Sequence, residues 1–369
     1  MSAKRVLLLA DQLGNGGAER QLALTARHLP DDWERLVWAF EEGSYVGVLA
    51  AAGVPVDAGR RAWRYDGRRL GRLWPFVRSF RPAVVHSWGW NCSAVVGPWC
   101  RATGVPLVDG TIRNANPHTY RRWGRRAGML FADLVVANSR AGLEAWGVGS
   151  SRGRVIRNGF DPDRYGLCGP NRPRRPDDGR LRVVMVARMS PEKDYATLLS
   201  VAHRLWRADR EGWRFLAVGD GPLRERLSGT CDALVRAGVV EFIDGGLEPL
   251  DVVADADVGV LMTGARESEG ISNAIMEYMA AGLPVVCSAG GGNAELVTEG
   301  VTGITVPVED GVALAEALIY LKENPAERRR LGAAGAQRLR DEYSLTRMID
   351  ATVAVYREAI ARHDGRPEP

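Results

Sequence analysis

Two carboxylates, Glu269 and Glu277, are spaced so that both can face one ligand. Glu269 falls in a predicted loop, and Glu277 falls on the first turns of the apolar helix that follows it. An ionised carboxylate accepts hydrogen bonds, which suits adjacent hydroxyl groups of a sugar or a ribose. The alternative interpretation of Glu277 is an acid at the edge of the core that pairs with an arginine.

The residues between the two acids favour a binding site. Ser272 or Asn273 can cap the helix, which leaves free backbone amides to face phosphate or sugar oxygens. A second glycine-rich loop, 289–295, offers further exposed amides after the next predicted strand. The candidate ligand-binding residues of the first segment are Gly270, Ile271, Ser272 and Asn273.

Arg188 and Lys193 form a second candidate site, in the loop after the predicted strand 181–187. Arginine offers a planar fork and lysine a point charge, and two such cations can clamp a diphosphate without a metal. The five histidines show no metal-ligand spacing, so we expect neither a metal nor another cofactor.

A glycine loop with Gly16 and Gly17 lies between the first predicted strand and a helix. Glycine lets a backbone approach a ligand closely, and a helix N-terminus favours an anion. Glu19 stands where the dinucleotide fingerprint requires its third glycine, and the loop has no Gly-Lys-Ser/Thr. By itself the loop is equally consistent with a flexible turn.

These loops must be positioned by the elements between them. Short apolar runs alternate with helical patterns in both halves of the chain, which is typical of parallel sheets covered on both faces. We therefore predict an α/β protein with two Rossmann-like domains facing a central cleft, with ligands beyond the carboxyl ends of the strands. The predicted strands are 6–10, 35–40, 83–87, 107–111 and 134–137, then 181–187, 215–218, 239–243, 258–262, 285–288 and 303–306.

Length and composition agree with two domains. The 369 residues are globular in composition, with 46% hydrophobic and 25% charged residues. No apolar run reaches the ~18 residues of a membrane span, and the five cysteines show no Cys-x-x-Cys, so we expect reduced thiols and a cytoplasmic location. The predicted boundaries are 1–165 for an acceptor-side domain, 166–180 for a Pro- and Gly-rich linker, 181–343 for a donor domain and 344–369 for a final helix and tail.

The charge is unevenly distributed. Residues 1–165 carry 24 Lys+Arg and 14 Asp+Glu, whereas the remainder carries 25 and 31. Arginines interleaved with tryptophans favour an anionic membrane surface or a lipid-diphosphate acceptor over nucleic acid, and the plain alternative is a solvated arginine-rich face. The residues concerned are Arg60, Arg61, Trp63, Arg64, Arg68, Arg69, Arg72, Trp74, Arg121, Arg122, Trp123, Arg125 and Arg126.

In their order and spacing these motifs resemble the family 4 retaining glycosyltransferases of the GT-B fold, over nearly the whole chain. The strongest part is the Glu-x7-Glu segment Glu269 to Glu277, with Met279 to Val286 after it. The other matching parts are Gly16 to Arg20, Val155 to Asp161, Ala187 through Lys193, Gly291 to Glu295 and Gly300 to Gly303.

The resemblance implies a role for each matching residue. Glu269 contacts hydroxyls of the transferred sugar, and Glu277 holds the ribose of the nucleotide. Arg188 and Lys193 bind the diphosphate and stabilise the leaving group in place of a divalent metal. The two glycines of the first loop bring that backbone against donor and acceptor, and the final helix crosses back onto the first domain.

One departure from the family concerns a histidine that often follows the strand that residues 105–112 would form. Here Thr111 to Asn114 occupies that position, with His118 a few residues later. Arg113 and His118 are therefore both candidates to face the sugar and phosphate. His86, directly after an earlier strand, is a further candidate for the acceptor side, and a buried structural role fits it equally well.

We therefore expect a retaining glycosyltransferase that moves a hexose or N-acetylhexosamine from a nucleotide-diphosphate sugar, with UDP favoured and GDP as the other base. The expected acceptor belongs to bacterial-type polysaccharide, glycolipid or glycoconjugate synthesis. We expect peripheral contact with the inner face of an anionic plasma membrane and no nucleic acid. The alternatives are an NAD-dependent oxidoreductase, favoured by Gly14-x-Gly16 with Glu41 and Glu42, a GT-B-fold sugar-nucleotide epimerase, and a non-catalytic basic binding module.

Overall fold

The structure is a computed structural model that describes residues 4–59, 67–117, 122–168, 178–244, 248–264 and 269–365. The chain divides into two compact units. Unit 1 comprises Met1–Gly159 together with Leu345–Pro369, and unit 2 comprises Phe160–Ser344.

Unit 1 is built on a parallel sheet in the order β3-β2-β1-β4-β5-β6-β7. Its strands are β1 (Lys4–Gln12), β2 (Trp33–Glu41), β3 (Val56–Asp57), β4 (Val84–Ser87), β5 (Leu107–Ile112), β6 (Leu134–Ala137) and β7 (Gly153–Val155). All five predicted strands are present. The sequence missed β3 and β7, the two edge strands, because each is too short to form an apolar run.

Helices cover both faces of this sheet. On one face, α1 (Gly17–His28) and α2 (Ser44–Ala51) share an apolar cluster with the last helix of the chain, α16 (Leu345–His363). The opposite face is covered by α3 (Gly67–Phe80), α4 (Trp90–Thr103), α5 (Arg122–Phe131) and α6 (Arg140–Ala145). Side chains of the central strands alternate between the two clusters, as the period of a strand requires.

The last helix belongs to unit 1, which confirms the predicted return to the first domain. Tyr356 of α16 packs against Trp33 with ring centroids 5.3 Å apart. The guanidinium Nε of Arg154 donates to the Glu358 carboxylate at 2.9 Å. Buried apolar contacts and a partly buried ion pair thus attach α16 to the face formed by α1 and α2.

Unit 2 contains a parallel sheet in the order β10-β9-β8-β11-β12-β13. Its strands are β8 (Leu181–Val186), β9 (Trp213–Val218), β10 (Val240–Ile243), β11 (Val258–Leu261), β12 (Val285–Ser288) and β13 (Gly303–Val306). All six match predicted strands to within two residues. They were recognisable because strands buried on both faces form continuous apolar runs.

The helices of unit 2 enclose one large apolar core. A 3-10 turn (Pro162–Arg164) leads into α7 (Tyr165–Cys168), and the helices that follow are α8 (Tyr195–Ala208), α9 (Arg224–Thr230), α10 (Asp232–Arg236), α11 (Leu250–Ala254), α12 (Asn273–Ala280), α13 (Asn293–Leu296), α14 (Gly311–Glu323) and α15 (Pro325–Glu342). No helix of the described segments is both long and apolar enough to cross a lipid bilayer.

Candidate functional site

The strand order reverses between neighbouring strands in both units, at β1 and β4 in unit 1 and at β8 and β11 in unit 2. Ligands of open α/β sheets bind beyond the carboxyl ends of the strands at such a reversal. Arg188 and Lys193 follow β8, whereas Glu269 and Glu277 follow β11. The four residues, which the sequence placed after two separate strands of unit 2, therefore flank one reversal point.

The loop that carries the two cations is held by backbone contacts. Lys193 forms an antiparallel bridge with Thr263, and the Asp194 amide donates to the Met262 carbonyl at 3.1 Å. On its other side, the Met189 amide donates to the Asp220 carbonyl at 2.9 Å. The loop after β8 is thus anchored between the loops that follow β9 and β11.

Arg188 is exposed, and Lys193 is mostly buried. Between them, a hydrogen bond with Ser190 lowers the pKa of Glu192, and the nearby charges of Arg188 and Lys193 act in the same direction. Arg188 and Lys193 therefore create a positive potential at Glu192, of the kind that a bound diphosphate requires.

The ammonium group of Lys193 forms an ion pair with the carboxylate of Glu269. Both side chains are largely shielded from solvent. The structure thus brings a residue assigned to the diphosphate into direct contact with a residue assigned to the transferred sugar. Together they place a cation and an acceptor of hydrogen bonds from sugar hydroxyls at one position.

The two glycine-rich loops of unit 2 lie against each other. The Gly292 amide donates to the Glu269 carbonyl at 2.7 Å, and a Cβ atom on Gly292 would lie 2.3 Å from the carbonyl carbon of Gly270. Only glycine permits this approach, so the loop 289–292 fixes the backbone that carries Glu269. The loop 289–292 therefore shapes the loop that carries Glu269.

Ser272 caps α12 with its extended backbone, and its side chain makes no capping hydrogen bond in the described helix. Gly270, Ile271 and Ser272 are buried, whereas Asn273 at the first helical position is partly exposed. The hydroxyl of Tyr278 on α12 accepts from the Val186 amide at 2.7 Å and donates to the Val260 carbonyl at 3.1 Å. This hydroxyl fastens α12 to the ends of β8 and β11, where the site lies.

Glu277 is almost fully buried and is paired with Arg164, whose Nη2 atom lies 2.8 Å from Glu277 Oε1. The alternative interpretation, an acid at the core edge paired with an arginine, thus describes its surroundings. Arg164 also contacts Glu248, and neither residue was predicted from the sequence. The only sequence signal was an arginine three residues after the matched motif 155–161, just before the predicted linker 166–180.

In unit 1 the Glu19 side chain folds back over the glycine loop. A Cβ atom on Gly16, the cap of α1, would lie 2.0 Å from Glu19 Oε2, so a larger residue there would displace the Glu19 side chain. Burial raises the pKa of Glu19, although a hydrogen bond from Gln12 acts in the opposite direction. The start of α1 is therefore next to a carboxylate of the chain itself, and the donor contacts of Gly16 and Gly17 stay a prediction.

Arg113 lies at the carboxyl end of β5 and stacks on Trp88, with the guanidinium carbon 4.0 Å from the ring centroid. Its Nε atom donates to the Gly110 carbonyl at 2.9 Å. Burial lowers the pKa of Arg113 to about 10, although Asp109 and Glu19 act against that shift. His118 lies outside the described residues, so its comparison with Arg113 rests on the sequence alone.

His86 is buried at the end of β4, and its Nδ1 atom lies 2.7 Å from the Tyr356 hydroxyl of α16. Burial, together with the charge of Arg113, lowers the pKa of His86 well below its ordinary value. His86 and Arg113 line a small pocket that also includes Trp88 and Asn158. A neutral imidazole beside a buried cation is consistent with a positioning role at the carboxyl edge of the sheet.

The basic and aromatic residues of unit 1 are only partly described. Trp123 is 68% exposed, whereas Trp74 packs on Trp99 with centroids 6.0 Å apart. Arg125 is directed inward, because its Nη1 atom donates to Asn114 and its guanidinium lies over Trp146. The residues or side chains outside the described part are Arg60, Arg61, Trp63, Arg64, Arg68, Arg69, Arg72, Arg121 and Arg122.

Within the described segments, no three His, Cys, Asp or Glu side chains come together as a metal ion requires. Metal independence stays a prediction. The five cysteines are buried, and none of them takes part in a disulfide bond.

Two family models match the chain, one for each half. Residues 15–164 match Glycosyltransferase Family 4, and residues 171–338 match Glycosyl transferases group 1. Together the two matches cover most of both units. The chain belongs to glycosyltransferase family 4, and it is a glycosyltransferase.

Similar proteins include enzymes of carbohydrate synthesis. The chain is 28% identical over 320 residues to the glycogen synthase of Mycobacterium tuberculosis. The match covers 82% of this chain and 75% of that protein. It is 30% identical over 260 residues to the alpha-maltose-1-phosphate synthase of the same species, covering 65% and 66% of the two chains. These matches lend no support to the oxidoreductase alternative.

Solved structures confirm the GT-B fold. The crystal structure of HepE from Anabaena in complex with UDP superposes with a TM-score of 0.79 at 20% identity, covering 95% of this chain and 99% of that one. The same protein in complex with UDP-glucose gives 0.78 at 21% identity, covering 95% and 99%. At such identities the likeness defines the fold, and the two parallel-sheet α/β units of this chain agree with it.

Proposed function

We propose that this glycosyltransferase moves a hexose or N-acetylhexosamine from a nucleotide-diphosphate sugar with retention of anomeric configuration, and that UDP is the preferred nucleotide. The observation that carries the proposal is the Lys193–Glu269 pair beside Arg188 at the strand reversal of unit 2. The UDP and UDP-glucose bound by structural neighbours support a uridine donor over a guanosine donor.

The reaction needs charge neutralisation more than it needs a proton. As the bond to the nucleotide diphosphate breaks, negative charge grows on the leaving phosphate and the sugar becomes oxocarbenium-like. Arg188 and Lys193 stabilise that phosphate without a metal, and Glu269 accepts hydrogen bonds from the sugar hydroxyls. With no carboxylate assigned as a nucleophile, the acceptor attacks from the face that the phosphate leaves.

A binding panel followed by product analysis tests the proposal. We expect UDP-sugars to raise the melting temperature more than GDP-sugars, ADP-sugars or NAD(H), since a ligand that binds only the folded state stabilises it. Proton NMR of the product should show the anomeric configuration of the donor. A sugar nucleotide that is altered without transfer would instead favour the epimerase alternative, and an inverted product would overturn retention.

We propose further that unit 1 contacts an anionic membrane surface, where a polysaccharide or glycolipid acceptor is presented. Three of the four helices on one face of its sheet, α3, α4 and α5, contain eight arginines and no Asp or Glu, whereas α6 has Arg140 and Glu144. On α5, Trp123, Arg126 and Leu130 are exposed at a spacing that places them on one side of the helix. Cations with exposed Trp and Leu suit the headgroup region of anionic lipid.

Vesicle sedimentation tests this surface. We expect the protein to sediment with phosphatidylglycerol-containing vesicles but not with pure phosphatidylcholine, and less at high salt because exposed charges are screened. Exchanging Trp123 and Leu130 for serine should abolish sedimentation. The matched control exchanges Val301 and Tyr320, two exposed apolar residues of unit 2, and should leave it unchanged. No binding by the unmodified protein would end the proposal.

A further inference from the structure

Arg164 is bonded to two carboxylates at once. Its Nε and Nη2 atoms contact the two oxygens of Glu248 at 2.8 and 2.6 Å, and Nη2 also donates to Glu277 at 2.8 Å. The Arg164 side chain is 13% exposed and the Glu277 side chain 2% exposed. A carboxylate this deeply buried requires a partner to remain charged, and Arg164 provides one.

Arg164 is itself held firmly by the segment that opens unit 2. The Phe160 amide donates to the Tyr343 carbonyl at 2.8 Å, and the Asp161 side chain accepts from the Asp163 amide at 3.0 Å. The guanidinium carbon of Arg164 lies 5.2 Å from the centre of the Phe160 ring. Because these contacts fix its approach, Arg164 can define the orientation of the carboxylate it meets.

Glu248 keeps the other side of the guanidinium in place. Its Oε1 atom accepts from the Leu250 amide at 3.2 Å, so it is held at the start of α11. Burial by itself would lower the pKa of Arg164, but the hydrogen bonds and charges of Glu248 and Glu277 raise it above its ordinary value. The three side chains thus form one charged cluster in which Arg164 is the central member.

We propose that Arg164 is a positioning residue for nucleotide binding, which acts by holding the Glu277 carboxylate ionised and in one orientation toward the ribose hydroxyls. The inference rests on the proposed function, in which Glu277 grips the ribose. A carboxylate retains acceptor capacity after one hydrogen bond, so pairing with Arg164 does not use up Glu277. The rival explanation is a purely structural clamp between residues 160–168 and α12.

Nucleotide binding by Arg164 variants distinguishes the two. We expect Arg164→Met to raise the Kd of UDP, measured by calorimetry, by about 10-fold at pH 8, the scale of one charge-assisted hydrogen bond. Arg164→Lys, which keeps a cation at this position, should recover part of the affinity.

A double-variant cycle shows whether Arg164 acts through Glu277. In a Glu277→Gln background, Arg164→Met should no longer weaken binding, because the group that it positions is gone. The matched control is Arg214→Met, which breaks the Arg214–Glu241 ion pair of the same unit and should leave the Kd unchanged.

The outcomes separate this inference from the function beneath it. If Glu277→Gln weakens UDP binding and Arg164→Met does not, Arg164 is only structural and the inference fails alone. The same conclusion follows if the Arg164→Met effect persists undiminished without Glu277. If the unmodified protein binds neither UDP nor GDP, both the inference and the proposed function are overturned. Should Arg164→Met fail to fold, Arg164→Lys decides: a raised Kd that disappears in the Glu277→Gln background supports the inference, and an unchanged Kd overturns it.

Discussion

The ammonium group of Lys193 and the carboxylate of Glu269 form an ion pair, although the first residue follows β8 and the second follows β11. The pair joins the residue expected at the diphosphate to the residue expected at the sugar. Each therefore orients the other, and neither can be exchanged without changing the electrostatics of its partner.

A double-variant cycle on this pair should show coupling. We expect Lys193→Met and Glu269→Gln each to lower the transfer rate by about 100-fold, the size typical for loss of one transition-state contact. The double variant should lose less than the product of the two, since each single change leaves one partner unpaired. Nucleotide release measures the rate. Strictly multiplicative losses would mean that Lys193 and Glu269 act independently. The control is Lys322→Met, which breaks the Lys322–Asp209 ion pair of the same unit.

Arg188 should affect catalysis and not stability. Its side chain is exposed, so Arg188→Ala removes little packing, whereas the leaving phosphate loses a charge-assisted donor. We expect kcat to fall by about 100-fold with an unchanged melting temperature. Arg204→Ala, at an exposed position on α8, should change neither quantity. Unchanged turnover in Arg188→Ala would exclude the cationic clamp.

The two acids should separate in steady-state kinetics. Glu277→Gln should mainly raise the Kd of the nucleotide, because the ribose is held equally in ground state and transition state. Glu269→Gln should mainly lower kcat, because hydroxyl contacts near the reacting carbon strengthen as charge develops. Calorimetry with UDP and initial rates with a UDP-sugar measure the two effects. Equal changes of both parameters in both variants would contradict the division.

His86 should make unit 1 sensitive to acid. Its pKa in the folded protein lies below the ordinary 6.5, so the unfolded chain binds more protons between the two values. Stability is therefore fully present above pH 6.5 and is lost as the pH falls toward the folded pKa, by up to about 1.4 kcal/mol per pH unit.

Urea unfolding between pH 8 and pH 5 measures this dependence. His86→Gln should flatten the profile, even if its stability at pH 8 is lower. Tyr356→Phe removes the hydroxyl next to Nδ1 but keeps the imidazole, so its profile should stay steep. A profile that is equally steep without His86 would assign the acid sensitivity to other groups.

Asp109 on β5 predicts the opposite dependence. Burial raises the pKa of Asp109, although hydrogen bonds from Thr111 at 3.0 and 2.6 Å act against that shift. Its ionised form is therefore destabilising, and stability decreases as the pH rises from 3.8 through the folded pKa. We expect Asp109→Asn to be more stable than the unmodified protein at pH 7, with a smaller difference near pH 4. A less stable variant at pH 7 would show that the carboxylate is favoured where it lies.

The strands were predicted well from the sequence because a parallel strand buried on both faces forms a continuous apolar run. All eleven predicted strands are present, and the two missed strands, β3 and β7, lie at the edges of one sheet. The loops with Arg188, Lys193, Glu269 and Glu277 were found for a related reason. Each comes directly after a recognisable strand, and the carboxyl edge of a parallel sheet is where ligands bind.

Which groups pair with which was not readable in the same way. The sequence allowed for an arginine next to Glu277, but nothing in the order of residues distinguished Arg164 from the other arginines. The same holds for Tyr356 of α16, which contacts His86. These contacts join residues far apart in the chain, and they depend on how the helices, strands and loops pack together.

The amino-acid sequence by itself determined the alternation of strands and helices, the position of the candidate loops and the likeness to family 4 glycosyltransferases. Such features are local, since periodicity, glycine turns and motif spacing are written in neighbouring residues. Only the tertiary structure decided that Lys193 meets Glu269 and that Arg164 holds Glu277. A charged partner is chosen by distance and burial, and both arise only when the chain folds.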